Sequence, residues 1–454
     1  MIEALREIFS GKQIATDPPT LATWGRDWTK SFKVDPSAVV FPESTEQVVS
    51  LVELANRRRI PLVPSGGRTG LSGGAVAGAR EVVVSFDRMN KILGFEPADR
   101  LVRCQAGVVT QQLQQFARDK GLFYPVDFAS SGSSQIGGNV STNAGGIKVI
   151  RYGLTRDWVA GLKVVTGRGE VIECNRGLVK NATGYDLRHL FIGAEGTLGF
   201  VVEADIRLAA APEPQIVMVM GVPALRDLLN VLARLQQDVR LSAFEFFSEL
   251  ALQKVTTHRK LKRPLAEPVA FYALAEFDAS ALEAATGAFE ACVDAGWVTD
   301  AVVSQSDAQA AELWQLREGI SESLAPFQPY KNDVSVKISQ MPEFVDEVNR
   351  VVGNAYPDLE VCWYGHIGDG NLHVNILKPA ALSGDDFYQR CHHMSPRIFD
   401  VVRQHDGSIS AEHGVGLLKR DFLEYTRSAA EIVAMRAMKT VFDPNGIMNP
   451  GKLL

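Results

Sequence analysis

Residues 363–376 read Trp-Tyr-Gly-His-Ile-Gly-Asp-Gly-Asn-Leu-His-Val-Asn-Ile, and this stretch organises the rest of the chain. The apolar run before the Gly-Asp-Gly-Asn turn and the alternating residues after it predict an antiparallel hairpin with strands over 359–364 and 372–376. The turn lets His366 and His373 lean toward one point. Because residues two apart in a strand share a face, Asn375 points where His373 points.

A second segment, residues 410–414, reads Ser-Ala-Glu-His-Gly and adds Glu412 and His413. Two imidazoles, one carboxylate and an open position are the usual way in which a protein holds a catalytic divalent metal. That ligand set leaves His413 to act as a base. The alternative is two hairpin histidines and an unrelated surface Glu–His pair, and these residues by themselves leave both interpretations open.

Composition indicates a globular protein of two or three domains, with 454 residues of which 46% are hydrophobic and 22% charged. With a net charge of -6, the chain has no basic field for nucleic acid or an anionic membrane. Its first residues lack the pattern of a secretion signal, and no apolar run is long enough to span a bilayer. The five cysteines lie far apart without a C-x-x-C pair, which fits a reducing cytosol. We therefore expect a cytoplasmic protein with no nucleic-acid partner and no integral membrane segment.

Three loops of glycine and small polar residues lie between predicted strands in the first half of the chain, at 65–74, 132–146 and 193–199. Loops of this kind expose backbone N–H groups and let them approach a phosphate closely. Each loop alone could be an ordinary turn, but three of them predict one extended phosphate-bearing ligand lying against the backbone. Residues 70–74 also match the G-x-S-x-G pattern of hydrolases, which we discount because no helix is predicted after them.

A linker rich in proline and alanine at 209–214 marks the main predicted domain boundary. Beyond it, strand and helix patterns alternate, which is typical of an antiparallel sheet with helices on one face. The predicted helix 306–325 carries Arg317 and Ser321, which share a face because they lie four residues apart. Lys331 follows in the next predicted loop. For Arg317 and Lys331 the alternative is solvated surface charge.

Taken together and in this order, the loops and the hairpin make the chain resemble the FAD-linked oxidases of the vanillyl-alcohol-oxidase (PCMH) type, and within them the D-2-hydroxyacid dehydrogenase branch. Residues 64–74 match the family's pyrophosphate loop, 136–146 the stretch along the flavin, and 181–199 the segment that closes the FAD site. The resemblance implies an α+β fold: a two-part PCMH-type FAD-binding domain and a cap domain whose antiparallel sheet is covered by helices. The implied domains are an N-terminal arm (1–35), the FAD-binding domain (36–212), the substrate or cap domain with the metal site (213–427), and a C-terminal helix and tail that return to the FAD domain (428–454).

The resemblance also implies roles for single residues. Three of them stand at the family's divalent-metal position, which usually holds zinc and for which manganese or iron is also compatible, namely His366, His373 and Glu412. His413 stands at the substrate as the catalytic base. The implied substrate-binding residues are Arg317, Ser321, Lys331 and Asn375. Ser321 replaces the more common threonine, and Lys337 stands where proline is expected, so that Lys337 either touches substrate or faces solvent.

FAD is the implied cofactor. Residues 65–74 contain no histidine, the residue to which some relatives attach FAD covalently, so we expect FAD to be non-covalent and dissociable. The positions that match the flavin-binding motifs are Pro64, Ser65, Gly66, Gly67, Arg68, Thr69, Gly70, Gly73, Ser133, Gly137, Gly138, Asn139, Thr142, Asn143, Ala144, Gly146, Gly196, Gly199, Val201 and Asn449.

The implied reaction is oxidation of a small D-2-hydroxyacid to the 2-oxoacid. Electrons would pass from reduced FAD to a separate acceptor, such as an electron-transfer flavoprotein or the quinone pool. Two cations besides the metal favour a dicarboxylate, so D-2-hydroxyglutarate is expected ahead of D-lactate or glycolate. Two other classes stay open: a reductase that shares the flavin domain but uses NADPH, and a non-catalytic FAD subunit of a larger complex. The oligomeric state, including a homodimer, is also left open.

Overall fold

The structure is a computed structural model and describes residues 1–29 and 32–454. Contacts within the chain divide it into two compact units, each of which combines helices with β-sheet. This composition confirms the predicted α+β class. The first unit consists of Met1–Gly145, Gly153–Ala211 and Glu412–Leu454, and the second of Gly146–Tyr152 and Pro212–Ala411.

A four-stranded sheet opens the first unit, and three of its strands are parallel. Val82–Ser85 is buried at every position, as expected for a central strand of a parallel sheet that is covered on both faces. Helix Thr45–Arg58 connects two of the parallel strands and begins at Ser44, whose side chain accepts a hydrogen bond from the Gln47 amide. In spatial order the strands are Ile14–Ala15, Ala38–Val40, Val82–Ser85 and Leu62–Ser65, the first pair antiparallel.

The other large sheet of the first unit is antiparallel and five-stranded, and a two-stranded ribbon pairs Leu122–Phe123 with Ala209–Ala210. In spatial order its strands are Ile92–Glu96, Leu101–Gln105, Gly199–Arg207, Val159–Thr166 and Val171–Cys174. The helices of the first unit are Ile2–Leu5, Pro18–Trp24, Thr45–Arg58, Thr110–Asp119, Ile136–Thr142, Thr155–Trp158, Arg188–Phe191 and Ala429–Phe442, with 3-10 turns at Gly11–Gln13 and Arg420–Tyr425.

The second unit is built on one antiparallel sheet of seven strands. One face of this sheet packs against helices Glu249–Arg259 and Asp307–Glu318 in a single apolar cluster that includes Phe247, Tyr272 and Trp314. In spatial order the strands are Ala301–Val303, Gln215–Val222, Phe271–Asp278, Leu241–Ser248, Glu360–His366, Asn371–Leu377 and Tyr330–Ser335. Its helices are Val149–Tyr152, Leu225–Asp238, Glu249–Arg259, Leu282–Asp294, Asp307–Glu318, Ile320–Ser323, Met341–Ala355 and Gly384–Gln404, with 3-10 turns at Ala279–Ala281, Ala325–Phe327 and Ile338–Gln340.

The N-terminal residues, predicted as an arm, form part of the first unit in the structure. Leu5 and Phe9 are buried in its core, and Ile14 pairs with Val40 in the four-stranded sheet. Apolar side chains spaced along a short, otherwise polar stretch were too few to predict this packing. Residues 30 and 31, which belong to the same predicted arm, lie outside the described residues.

The predicted substrate or cap domain, 213–427, and the second compact unit differ at their ends. Residues from Glu412 onward belong to the first unit, where the buried Glu195 carboxylate accepts hydrogen bonds from the backbone N–H groups of Val415 and Gly416 at 2.7 and 2.8 Å. Burial of the Glu195 side chain raises its pKa. These backbone donors connect two segments that are more than 200 residues apart in the chain.

The short segment Gly146–Tyr152 belongs to the second unit although the residues around it in sequence belong to the first. Arg151 donates to both carboxylate oxygens of Asp278, at 2.7 and 2.9 Å. These hydrogen bonds from Arg151 hold the pKa of Asp278 below its usual range. Lys148 pairs with Glu276 on the same strand and lies over the ring of Trp314. Long side chains with buried partners thus fix this segment to the seven-stranded sheet.

Among the described residues, none of the helices combines the length and the apolar character that crossing a bilayer requires.

Candidate active site

The two histidines of the hairpin stand on the same face of the seven-stranded sheet. Strand Glu360–His366 pairs with Asn371–Leu377 so that His366 faces Asn371 and Tyr364 faces His373. Directly paired residues lie on one face, and the ring centroids of His366 and His373 are 5.3 Å apart. Gly370 closes the turn with φ of +89°, a conformation that side chains rarely adopt. The first strand begins one residue later than predicted and ends two residues later, at His366, and the second extends one residue beyond the prediction at each end.

Glu245 is a site residue that the sequence analysis missed. It lies on strand Leu241–Ser248 with a side chain only 1% exposed, and its Oε1 is 2.8 Å from Nδ1 of His366. A carboxylate partner at Nδ1 favours the tautomer that carries the proton there, which leaves Nε2 with a lone pair. The available signal was one acid inside the run Phe244 to Phe247, because a charge in a buried strand needs a partner.

Arg317 comes to the same carboxylate from a helix. Its Nη2 lies 2.9 Å from Oε2 of Glu245, and its guanidinium stacks over the Tyr364 ring at 4.9 Å. The Arg317 side chain is 7% exposed, so the alternative of solvated surface charge does not hold for it. Among the described residues, its buried Nε and Nη2 have no partner with hydrogen-bond geometry. Because Nη2 faces the Glu245 carboxylate, Nε is the N–H group that remains available to an anion.

Ser321 and Lys331 lie beside each other in the structure. The predicted helix 306–325 breaks at Gly319 into Asp307–Glu318 and Ile320–Ser323, and Ser321 lies in the second piece. Lys331 was predicted in a loop but belongs to edge strand Tyr330–Ser335, where it pairs with Asn375. Its Nζ donates to Oγ of Ser321 at 3.0 Å. Surrounding protein lowers the pKa of Lys331 by desolvation, although the side chain still reaches solvent.

Three further polar residues complete this face of the sheet. Asp333 pairs with His373 across the strands, with 3.9 Å between its Oδ1 and Nδ1 of His373, and accepts a hydrogen bond from Nδ2 of Asn371. Burial raises the pKa of Tyr364 to about 12, although the positive charge of Arg317 acts in the opposite direction. The phenol therefore stays neutral at physiological pH. Asn375 donates to the carbonyl of His373 at 3.3 Å.

The other predicted catalytic residues lie in the first unit. Nε2 of His413 is 3.5 Å from Oε1 of Glu412, and both side chains are partly buried. Gly414 follows with φ of +78°, and the backbone just beyond it is fixed by Glu195. Their predicted roles at the metal and the substrate stay predictions. Lys337, the departure from the family pattern, is exposed and lies 3.8 Å from the exposed Asp406.

The first glycine-rich loop leaves strand Leu62–Ser65 and packs closely on the second. A Cβ on Gly67 would strike the carbonyl of Ser133 and lie 2.7 Å from Cα of Ser134. By contrast, a Cβ on Gly138 would meet no atom within 4 Å. The predicted second loop is not irregular throughout, because Ile136–Thr142 forms a short helix. The first loop therefore packs directly against the second at Gly67, while Gly138 faces open space.

Asn449, in the C-terminal tail, forms hydrogen bonds with the loops 65–74 and 193–199. Its Nδ2 donates to the carbonyls of Gly74 and Glu195 at 2.9 and 2.7 Å. Its Oδ1 is buried and has no hydrogen-bond partner among the described residues, and the same is true of Oε1 of Gln135. Unsatisfied buried acceptors fit a ligand that supplies donors, as the ring and ribose of FAD would.

Several predicted flavin-binding side chains are occupied by the chain itself. Arg68 lies over the Trp24 ring and donates to the Gly66 carbonyl, and Asn139 donates to Oγ1 of Thr110. These side chains already have a hydrogen-bond or ring partner within the chain. The same holds for Thr142, which donates to the carbonyl of Gly138, Asn143, which accepts from the Arg156 amide, and Ser65, which donates to the Trp24 carbonyl.

The other predicted positions are mainly close-packed backbone. Gly196 has φ of +70° and lies against Pro64, Gly199 lies against Val165, and Gly146 belongs to the second unit. The remaining positions lie on the loops and their supporting strand. Four of them form hydrogen bonds through their backbone: the Gly73 amide donates to the Asp27 carboxylate, the Gly70 carbonyl accepts from the Trp28 amide, and the amides of Gly137 and Ala144 donate to the carbonyls of Ala106 and Asn139. Val201 is buried, Thr69 is partly exposed and Ser133 is exposed.

Comparison with known proteins identifies the families and folds that this architecture resembles. Residues 36–175 match the family described as FAD binding domain, and residues 211–453 match the family described as FAD linked oxidases, C-terminal domain. The solved structure of p-cresol methylhydroxylase is similar, with a TM-score of 0.76 at 15% identity, covering 100% of this chain and 96% of that one. Alkyldihydroxyacetonephosphate synthase gives a TM-score of 0.74 at 18% identity, covering 99% of this chain and 84% of that one. At such identities these likenesses show the PCMH-type fold alone.

Curated relatives match along the whole chain. A protein named D-2-hydroxyglutarate dehydrogenase from Stutzerimonas stutzeri (strain A1501) is 57% identical, covering 100% of this chain and 98% of that protein. A protein of the same name from Xanthomonas citri pv. viticola is 52% identical, covering 100% and 96%. A putative mitochondrial D-lactate dehydrogenase of Schizosaccharomyces pombe is 33% identical, covering 98% and 87%. The chain therefore belongs to the FAD-linked oxidases, with a PCMH-type FAD-binding domain and the C-terminal domain of that family.

Proposed function

We propose that this enzyme oxidises D-2-hydroxyglutarate to 2-oxoglutarate with FAD and a divalent metal, and passes the electrons to a separate acceptor. The observation that carries the proposal is the convergence of two cationic side chains and two imidazoles on one face of one sheet. Arg317 lies over that face and Lys331 within it, beside His366 and His373. The names of the relatives at 57% and 52% identity support the same substrate.

Recognition of a dicarboxylate follows from the chemistry of the two cations. Arg317 is buried, its Nη2 is paired with Glu245, its guanidinium lies over Tyr364, and its Nε–H has no hydrogen-bond partner among the described residues. A planar guanidinium binds a carboxylate through two parallel hydrogen bonds. Lys331 adds a point charge, and Ser321 a hydroxyl at 3.0 Å from it. A monocarboxylate such as D-lactate would leave these groups unpaired, and that costs binding free energy.

The ligand set of the metal is proposed to be His366, His373 and Glu412. Two neutral imidazoles and one carboxylate suit zinc, manganese or iron. The contact of Nδ1 of His366 with Glu245 supports a ligand role, because metal-bound histidines generally donate their other nitrogen to an acceptor. His373 has an acid at its own Nδ1, since Asp333 lies 3.9 Å away.

When bound, FAD would accept a hydride from C2 of the substrate and the metal would lower the pKa of the C2 hydroxyl. We propose that His413 takes the hydroxyl proton, a task that suits an imidazole near neutral pH. Loss of one proton from oxygen and one hydride from C2 gives the 2-oxoacid. Arg317 and Lys331 hold the carboxylates during this step. FAD is proposed to be dissociable, because the 65–74 loop has no histidine.

We test the proposal by anaerobic bleaching of the flavin absorbance in stopped flow. D-2-hydroxyglutarate is compared with D-lactate, D-malate and L-2-hydroxyglutarate. Rapid bleaching by D-2-hydroxyglutarate alone is the expected result. Faster bleaching by D-lactate would refute the dicarboxylate assignment and favour the activity named for the relative at 33% identity. Bleaching by NADPH instead of any hydroxyacid would overturn the whole proposal.

The acceptor is proposed to be a separate carrier in the cytoplasm, such as an electron-transfer flavoprotein, or the quinone pool. All five cysteines are free thiols, which is compatible with a reducing compartment. Reoxidation of the bleached flavin by purified electron-transfer flavoprotein, and by a soluble quinone in a parallel assay, decides between these acceptors. Reoxidation by oxygen at the same rate would contradict a dedicated carrier.

A further inference from the structure

We propose that Glu245 is a positioning residue that fixes the metal ligand His366 and the carboxylate-binding Arg317 at once. This inference rests on the proposed function and adds to it a residue that takes no direct part in substrate binding. Both contacts belong to one carboxylate, with Oε1 at 2.8 Å from His366 and Oε2 at 2.9 Å from Arg317. Metal binding and recognition of the distal carboxylate would therefore share one support.

The place of Glu245 in the sheet explains why one side chain can reach both partners. Phe247, two residues further along the same strand, pairs with Tyr364, and Phe246 pairs with Gly365. Glu245 therefore points to the face that carries Tyr364 and His366. Helix Asp307–Glu318 packs on that face, and Arg317 in its last turn comes down over the Tyr364 ring. The carboxylate thus lies under the guanidinium and beside the imidazole.

Fixing His366 is the first consequence. A histidine with a carboxylate acceptor at Nδ1 keeps its proton there, which holds the ring orientation and leaves Nε2 as the metal-binding atom. Loss of such a partner typically weakens metal binding by about 10- to 100-fold.

Fixing Arg317 is the second consequence. A guanidinium that is 7% exposed needs a counter-charge, and Glu245 is the acid that lies against it. The ion pair at Nη2 and the Tyr364 ring hold the plane of the guanidinium, and its Nε–H has no hydrogen-bond partner among the described residues. A substrate carboxylate can then bind a guanidinium that is already oriented.

A neighbouring residue provides a matched control. Glu276 is also a buried acid on the seven-stranded sheet, on strand Phe271–Asp278 that pairs directly with the strand of Glu245. It pairs with Lys148 and accepts a hydrogen bond from Trp314, and neither is a proposed site residue. Glu276→Gln therefore measures the general effect of neutralising a buried acid in this sheet.

The experiment compares Glu245→Gln with Glu276→Gln in the full chain loaded with FAD. Zn²⁺ affinity is measured by competition with a chromogenic chelator, and selectivity is the ratio of flavin bleaching rates with D-2-hydroxyglutarate and D-lactate. A glutamine at 245 has one acceptor and one donor end, so it can satisfy only one of the two partners. We expect Zn²⁺ affinity or selectivity to fall by about tenfold or more in Glu245→Gln, and neither to change by more than about threefold in Glu276→Gln.

Two results would overturn the inference. One is a Glu245→Gln protein in which both quantities stay within about threefold of the wild type. The other is an equal loss in both variants, which would indicate a purely structural acid. If Glu245→Gln does not fold, Glu245→Asp is measured instead, because its shorter side chain keeps the charge but cannot reach both partners, and wild-type values there would also refute the idea. A wild-type protein that binds no Zn²⁺ would refute the proposed metal centre itself. This outcome is distinguishable from failure of the Glu245 inference, because it is measured on the wild type before any variant is compared.

Discussion

Replacing Arg317 with lysine separates recognition of the distal carboxylate from the rest of the reaction. The substitution keeps a positive charge beside Glu245, which is 1% exposed. A smaller apolar residue would remove the guanidinium from that buried acid and leave it only His366, and breaking a buried ion pair in this way costs about 3–5 kcal/mol of folding free energy. Lysine instead removes the flat arrangement of N–H donors, which includes the buried Nε without a hydrogen-bond partner among the described residues, and supplies a single point charge.

The expected magnitude follows from the bond that is lost. A hydrogen bond to a charged group contributes about 1.5–3 kcal/mol, and each 1.4 kcal/mol is a factor of about ten. Arg317→Lys should therefore lower kcat/KM for D-2-hydroxyglutarate by about 10- to 150-fold. D-lactate has no distal carboxylate, so its value should change by no more than about threefold.

The assay is anaerobic flavin bleaching, because it reports the reductive half-reaction without an acceptor. Arg234→Lys serves as the control, since Arg234 pairs with Asp238 on a helix surface and has no site contact. Equal losses on the two substrates would refute the role given to Arg317. An unchanged value for D-2-hydroxyglutarate would do so as well, provided that the variant melts at the wild-type temperature.

Three further outcomes are expected. Removal of metal with dipicolinate should keep the flavin band but abolish bleaching, and Zn²⁺ should restore it; full bleaching by metal-free protein would contradict the metal centre. Gly67→Ala should lower both the melting temperature and the FAD content, because its Cβ would lie 2.7 Å from Cα of Ser134. Gly138→Ala should lower FAD affinity alone, because a Cβ there would meet no atom within 4 Å. Equal effects of the two substitutions would contradict the loop assignment. Asp278→Asn should cost about 2 kcal/mol of unfolding free energy in urea at pH 7, against about 0.5 kcal/mol for the exposed Asp238→Asn. Because the pKa of Asp278 is lowered in the folded state, this stabilisation is present above about pH 4 and is lost as pH falls through the folded pKa, so a constant difference between pH 7 and pH 3 would refute it.

Local patterns in the sequence were sufficient where a structure is formed by neighbouring residues. The hairpin around His366 and His373 was predicted because its turn glycines and its alternating residues all lie within the 18 positions from Glu360 to Leu377. The predicted helix 306–325 was less exact, since it breaks at Gly319, where a Cβ would strike the Gln315 carbonyl and the Arg259 side chain. Helical periodicity continues through such a break, so the pattern did not reveal it.

Edge position and burial could not be predicted from local pattern. Lys331 was expected in a loop, and a charged residue on an edge strand has no distinctive pattern of its own. Strand Leu241–Ser248 places Glu245 at the centre of the sheet, yet its apolar run gave no indication of its neighbours. Which strands pair is decided by contacts between residues that are far apart in the chain.

By itself, the sequence determined the glycine-rich loops and the hairpin that carries His366 and His373, because turn residues and hydrophobic periods act over a few positions, and the order of these motifs carried the resemblance that implied the α+β fold. Only the tertiary structure decided that Glu245, Arg317 and His366 meet, from a strand, a helix and a hairpin separated by 49 or more residues. A buried charge is stable only beside its partner, and the identity of that partner depends on how the strands and the helix pack. The contacts among these three residues therefore depend on how the sheet and the helix pack, because no short stretch of sequence contains all three.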